Sequence, residues 1–195
     1  VFLNCYVNAQ QFITRNGELH IGSSKTIDIS KYSADGGGLH FGNGGKMVIS
    51  GDTADFVQLD TLNNDNGSIV FTGTGNQYFL PRNYHYHPSI HMAGSGELII
   101  DSSPLITGNI IVDSGIVRLN VSVTGDTLII DSMGVLKLGT GNIHNISEVV
   151  LGEHGGKLYF NQSTLRISKN ANFTNTEVSR DTGRLELSGS VLQQF

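Results

Sequence analysis

Eight short segments, each led by glycine, recur along this chain: GELHI (17–21), GGLHF (37–41), GSIVF (67–71), GELII (96–100), GIVRL (115–119), GVLKL (134–138), GKLYF (156–160) and GRLEL (183–187). Between them lie further apolar bursts, among them TIDI, MVI, NIIV, TLII, VVL and TLRI. Apolar residues alternate with polar ones, as in Leu136/Leu138, Leu165/Ile167 and Leu185/Leu187. A period of two is the mark of a strand with one buried face, and the helical period of an amphipathic helix is not sustained anywhere. The chain is therefore read as all-β.

A strand this short cannot stand alone. Ordering its backbone costs more than its few buried side chains return, so each segment needs a neighbour of the same kind. The third residues of the glycine-led segments are Leu19, Leu39, Ile69, Leu98, Val117, Leu136, Leu158 and Leu185. The tight steps, from Leu19 to Leu39 and from Leu98 through Val117 and Leu136 to Leu158, each span about 20 residues, the length of one coil in a repeating stack. The wider steps, from Leu39 to Ile69, Ile69 to Leu98 and Leu158 to Leu185, are read as coils carrying inserted loops. Gly and Asn between the bursts supply the positive φ that sharp corners require. The expected fold is a right-handed parallel β-helix (a β-solenoid). The alternative is a β-sandwich, which also accepts closely spaced short strands but favours more hairpin dipeptides than the single clear DNG at 65–67.

Composition narrows function. With 12 Lys and Arg against 17 Asp and Glu, a net charge of −5 and no basic stripe, neither nucleic acid nor an anionic membrane is an expected partner. No apolar run is long enough for a membrane-spanning helix. Residues 1–9 within VFLNCYVNAQQF, for which the alternative is a first strand of the mature domain, read as the remnant of a secretory signal peptide, with Val7 and Ala9 at the small-residue positions before a cleavage point. That places the single cysteine, Cys5, outside the mature chain and disulfides out of consideration. Residues 10–195 then form a single β-solenoid domain. No Met or basic start precedes residue 1, and the chain stops inside the strand-like RLELSGSVLQQF, so it reads as a fragment of something longer.

Residues 67–119 add a resemblance. GSIVFTGTGNQYF followed by SIHMAGSGELIIDSSPLITGNIIVDSGIVRL resembles the repeats of secreted, adhesin-like surface proteins of the Bacteroidota, with a GTG-x-Q turn ahead of a strand-rich repeat. The NAQ junction at 8–10 is similar to signal-peptide ends in the same group. The rhythm SG-x-L-x-L is more distantly similar to autotransporter passengers. The resemblance implies export and display at the cell surface as a stiff rod. The triplets DTA (52–54), DTL (60–62), DTL (126–128) and DSM (131–133) resemble O-glycosylation acceptors of that group, although Asp-Thr and Asp-Ser also make ordinary turns.

The most concentrated chemistry lies in YFLPRNYHYHPSIHM (78–92). His85 and His87 alternate and His91 follows a proline, which is ligand-like but lacks a nearby acid. Tyr78, Tyr84 and Tyr86 could offer flat faces to sugar rings. The simpler reading is a polar, aromatic loop inserted into a wide coil. Asp52, Asp55, Asp60, Asp65, Asp101, Asp113, Asp126 and Asp131 are spread out, mostly beside turn residues. Asp101 and Asp131 each follow an LII strand and are read as repeat-equivalent. GNGGK (42–46) lacks phosphate-loop spacing, and DGGGLHFGNGG lacks the aspartate of a calcium nonapeptide. The sequons at Asn120, Asn145, Asn161 and Asn172 matter only in a eukaryotic host.

No catalytic or metal-ligating residue and no cofactor is assigned, and the binding residues stay undesignated. The expected function is a non-enzymatic, secreted or cell-surface solenoid serving a structural or adhesive role. Its expected partners are host or environmental glycans or cell-surface proteins, with self-association at the solenoid ends. The alternatives are a carbohydrate-active β-helix enzyme of the lyase or hydrolase kind, and a glycan-binding module.

Overall fold

A computed structural model describes residues 2–3, 7–83, 85–151, 155–174 and 177–189 of the chain. Among the described residues every regular element is a strand, and every strand pairing is parallel. The strands stack as a β-solenoid of about nine turns. The parallel register excludes the β-sandwich alternative.

Each turn runs through three faces. On the first, the inward positions Ile27, Met47, Ile69, Ile90, Ile110, Leu128, Val149 and Ala171 are in register from turn to turn. One turn therefore takes roughly 20 residues, at the short end of known solenoid repeats. The second face carries Gln77, Leu98, Val117, Leu136 and Leu158, beside a column of Phe12, Tyr32, Ala54 and Phe79. The third begins with Leu19, Leu39 and Leu62 and continues through strands such as Leu105–Thr107 and Thr164–Ile167. Strand Val123–Leu138 bends through all three faces in one pass.

These columns explain the uneven spacing in the sequence. Leu19 and Leu39 stand on the third face, Ile69 on the first, Leu98 to Leu158 on the second, and Leu185 on the third again. The wide steps on either side of Ile69, and the one ahead of Leu185, are thus changes of face. Among the described residues no loop is inserted there. Residues 76–83 and 85–92 likewise belong to one ordinary passage across three faces, through Asn76–Leu80, Tyr86–His87 and Ser89–Met92. Asp101 follows a second-face strand and Asp131 a first-face run, so they are not equivalent. Of residues 1–9, Phe2–Leu3 and Val7–Ala9 take part in strands, and Cys5 lies outside the described residues.

The three faces enclose a single apolar interior. Ile29, Met47, Ile49, Ile69, Phe71 and Leu98 are wholly buried. An aromatic chain crosses it: Tyr32 and Phe56 meet edge to face at 4.9 Å, and Phe56 and Phe79 at 5.3 Å. Such contacts add directional preference to simple burial. The Tyr32 hydroxyl reaches Thr14 Oγ1 at 3.0 Å, and burial pushes its pKa up to about 12.

Polar atoms turn the corners. Gln77 stands in an apolar column yet is buried, because its amide serves the bend between the first and second faces. Its Nε2 donates to the carbonyls of Ile49 and Gly51 (3.0 and 2.6 Å), and its Oε1 accepts from the Gly73 N–H at 2.9 Å. A Cβ on Gly73 would sit 2.7 Å from the Gln77 amide carbon, so the glycine and the glutamine of GTG-x-Q require each other. The length of a turn also changes at this corner, by register shifts between Ile29 and Lys31 and between Val112 and Ser114.

Glycines at the same corner are required by contact as well as by dihedral. A Cβ on Gly96 would lie 2.1 Å from the Gly75 carbonyl oxygen, and one on Gly115 would lie 2.5 Å from the oxygens of both Gly94 and Gly96. Gly115 also has φ +68°. Gly141 has φ +75° but no atom near its absent Cβ. Comparing the two separates strain from stacking. Gly141→Ala is expected to cost about 1 kcal/mol for the left-handed backbone alone. Gly115→Ala, with overpacking added, is expected to cost about 2–4 kcal/mol in urea unfolding. Equal losses in the two variants would contradict close inter-turn packing at this corner.

Candidate functional site

The histidines of segment 78–92 do not converge. His87 points into the interior against Phe56 and Phe79, with ring centroids at 5.9 and 5.4 Å, and its Nε2 meets the Arg82 carbonyl at 2.9 Å. His91 faces outward on the first face and pairs with Asp113 one turn on, at 2.5 Å. His85 is only partly covered, and burial together with the nearby Arg82 charge lowers its pKa. The tyrosines are dispersed too. Tyr78 projects from the second face and Tyr86 from the third, while Tyr84 lies outside the described residues.

Acidic side chains mostly join turns or cap bends. Arg15–Asp35 (2.7 Å), Glu97–Arg118 (2.6 Å), Lys157–Glu177 (2.8 Å) and Arg166–Glu186 (2.6 Å) each link residues one turn apart. Opposite charges in neighbouring strands favour the observed register. The Lys157 ammonium, donating to Glu177, holds that carboxyl below its usual range, and Arg166 does the same for Glu186. Asp60 accepts from the Gly37 N–H at 2.6 Å, Asp55 from the Val57 N–H at 3.0 Å, and Asp101 from the Ser102 N–H at 2.7 Å. In the DTA and DTL triplets the apolar residues Ala54, Leu62 and Leu128 are buried, so these triplets mark a chain entering a strand from a bend.

One outward column forms a groove. On the third face Tyr86, Ile106, Thr124, Asn145 and Arg166 follow one another turn by turn. They line a shallow groove of about 240 Å³ with Asp126 and Ser147. The Tyr86 hydroxyl donates to Asp126 Oδ2 at 3.1 Å, which fixes the ring while leaving it 48% exposed. Burial and the Asp126 carboxylate both raise the phenol pKa. A half-open aromatic ring beside amide, hydroxyl, carboxylate and guanidinium groups suits a polyhydroxylated ligand.

A second cluster lies on the outer side of the same face, on the turns that precede the groove. The register His20–His40–Asn63 places two imidazoles and an amide in one column, with Glu18, Gly38 and Thr61 in the column two residues before. The His20 and His40 rings stack at 4.2 Å with their planes 7° apart. Glu18 Oε2 lies 3.0 Å from His20 Nε2, and its Oε1 3.6 Å from His40 Nε2. The hydrogen bond from His20 holds the Glu18 carboxyl below its ordinary pKa. Three ligand-type atoms within 4.8 Å of one another could hold a metal ion.

The sequence signal for this cluster was present in the two glycine-led segments GELHI and GGLHF, whose histidines stand at the same place in successive turns. The histidines at 85, 87 and 91 are closer in sequence but do not meet in space. In a solenoid, residues one turn apart touch, and residues two apart on a strand need not share a ligand.

Among the described residues no helix is long and apolar enough to cross a membrane. No family model, curated protein or solved structure matches the chain.

Two buried histidines make the fold acid-sensitive. His87 and His144 both have pKa values lowered to about 4 by burial. His144 is aligned with Leu165, and neither of its ring nitrogens has a hydrogen-bond partner. In the unfolded chain such groups protonate near pH 6.5. Their neutral burial therefore contributes full stability above about pH 6.5, and that contribution is lost as pH falls towards about 4, by on the order of 3 kcal/mol for each ring. His144→Leu is expected to stabilise the fold by about 1–3 kcal/mol at pH 7. It should also flatten the decline between pH 6.5 and 4 in urea unfolding. An unchanged pH profile would contradict neutral burial of this ring.

Proposed function

We propose that the chain is a non-enzymatic β-solenoid, secreted or displayed at the cell surface, acting as a structural or adhesive segment. The observation that carries this reading is how the outward charges are used. Arg15, Glu97, Lys157 and Arg166 each pair with an opposite charge one turn away, so the surface chemistry reinforces a rod. The continuous core of parallel turns suits a stiff spacer that presents its side columns. The resemblance of residues 67–119 to repeats of exported surface proteins supports the same setting.

Adhesion to glycans is the favoured mode, and the Tyr86 groove is the surface that fits it. The exposed ring offers a stacking platform, and Asp126, Asn145 and Arg166 supply donors and acceptors at successive turns. The rival reading is a polysaccharide-cleaving β-helix enzyme.

Binding to a glycan array, followed by turnover assays on acidic and neutral polysaccharides with and without Ca²⁺, separates the two. The adhesive reading expects saturable glycan binding that weakens about tenfold in Tyr86→Ala, with the glycan recovered intact. Release of unsaturated or reducing ends, abolished in Asp126→Asn, would overturn it.

A further inference from the structure

We propose that Glu18, His20 and His40 form a binding site for a zinc-class divalent metal ion, which clips two successive turns of the third face together. Two imidazole nitrogens and a carboxylate oxygen are the donor set such an ion prefers, and three protein ligands leave one position for water. Ligand atoms around a tetrahedral zinc stand about 3.3 Å apart, from metal–ligand bonds of about 2.0–2.1 Å. Glu18 reaches the two rings through different oxygens, Oε2 at 3.0 Å from His20 Nε2 and Oε1 at 3.6 Å from His40 Nε2, and one ligand atom from each of the three residues lies within 4.8 Å of the others.

The surroundings fit the donors. His40 Nε2 is shielded from solvent and has no hydrogen-bond partner, only the more distant Glu18 oxygen. An unpaired buried nitrogen is costly, and coordination would relieve that cost. Space for it comes from Gly38, which stands in the column between Glu18 and Thr61. A Cβ there would lie 2.5 Å from Thr61 Oγ1, 3.1 Å from His40 Nε2 and 3.2 Å from Glu18 Cγ. The missing side chain thus leaves the notch through which the carboxylate reaches the second ring.

Asn63 is the positioning residue. Its Nδ2 donates to His40 Nδ1 at 2.8 Å, which places the His40 proton on Nε2. Metal binding at Nε2 requires the other tautomer, with the proton on Nδ1. A half-turn of the Asn63 amide then presents Oδ1 to accept it, because amide oxygen and nitrogen occupy interchangeable positions. The rings must also move. Stacked in parallel 4.2 Å apart, the two rings converge on one ion only when each tilts inward towards Glu18 and releases its Nε2 proton.

Titration calorimetry of the whole chain with Zn²⁺ near pH 7.5, in a buffer that does not chelate, tests the site. One ion per chain is expected, with binding weakened more than about 100-fold in either His20→Ala or His40→Ala, since two protein ligands do not hold zinc as three do. His91→Ala, remote from the site, should bind as the parent does. Asn63→Leu should weaken binding about 10-fold or more, and Asn63→Asp should tighten it, as expected for an outer partner of a metal-bound imidazole. Circular dichroism of each variant verifies that the strands remain. Undetectable Zn²⁺ binding by the parent, or binding unchanged in the folded His20→Ala/His40→Ala double variant, would overturn the proposal.

Discussion

The constraint on which this structure depends is parallel hydrogen bonding between turns about 4.8 Å apart. Once Ile27 pairs with Met47, and Met47 with Ile69, each inward position repeats at every turn, and each must be apolar, small or internally satisfied. The same spacing brings carbonyl oxygens at the bends within 2.1–2.5 Å of where a Cβ would stand, which is why Gly96 and Gly115 occupy the corner between the first two faces. Where a polar side chain enters the interior, as Gln77 does, it does so with both ends of its amide engaged. His144 breaks that rule at both ring nitrogens and His87 at one, and with them the fold acquires its acid-sensitive points.

The stack also decides what the surface can do. A residue's nearest outward neighbour is the one a full turn away, so charges distant in sequence become pairs, such as Glu97 with Arg118 and Arg166 with Glu186. For the same reason His20 lies over His40, and Tyr86 shares a column with Asn145 and Arg166. A solenoid builds its sites from outward columns, with side chains of successive turns meeting along one face. The Tyr86 groove and the Glu18–His20–His40 cluster are both of this kind.

Much of the fold was legible from the alternation in segments such as GVLKL and TLRI, together with the even steps from Leu98 through Val117 to Leu136. These are local signals, and a two-residue period survives whatever the chain does next. What could not be read was the face to which each segment belongs. A glycine-led strand looks alike on all three faces, so Leu39 and Ile69 resemble successive repeats with a loop between them, whereas they stand on different faces. The candidate sites suffered more from this than the fold did. His85, His87 and His91 are close in sequence, but the chain changes face at Pro88, so His87 is buried beside Phe79 on one strand and His91 points outward to Asp113 on the next. His20 and His40 follow Leu19 and Leu39, one coil apart in the sequence, and become neighbours only once those two segments are stacked on each other.

Distances along one outward column test the parallel stack most directly. Asp28, Val48, Val70, His91, Ile111, Ile129 and Val150 follow one another turn by turn on the first face. With spin labels on cysteines at 28 and 111, and separately at 28 and 150, in a Cys5→Ser background, pulsed electron-electron resonance should give backbone separations of about 19 and 29 Å, that is, four and six strand spacings. Growth in proportion to the number of turns is the expected result. Equal distances for the two pairs, or a shorter distance for the 28–150 pair, would mean that the chain folds back on itself, and would contradict the stack.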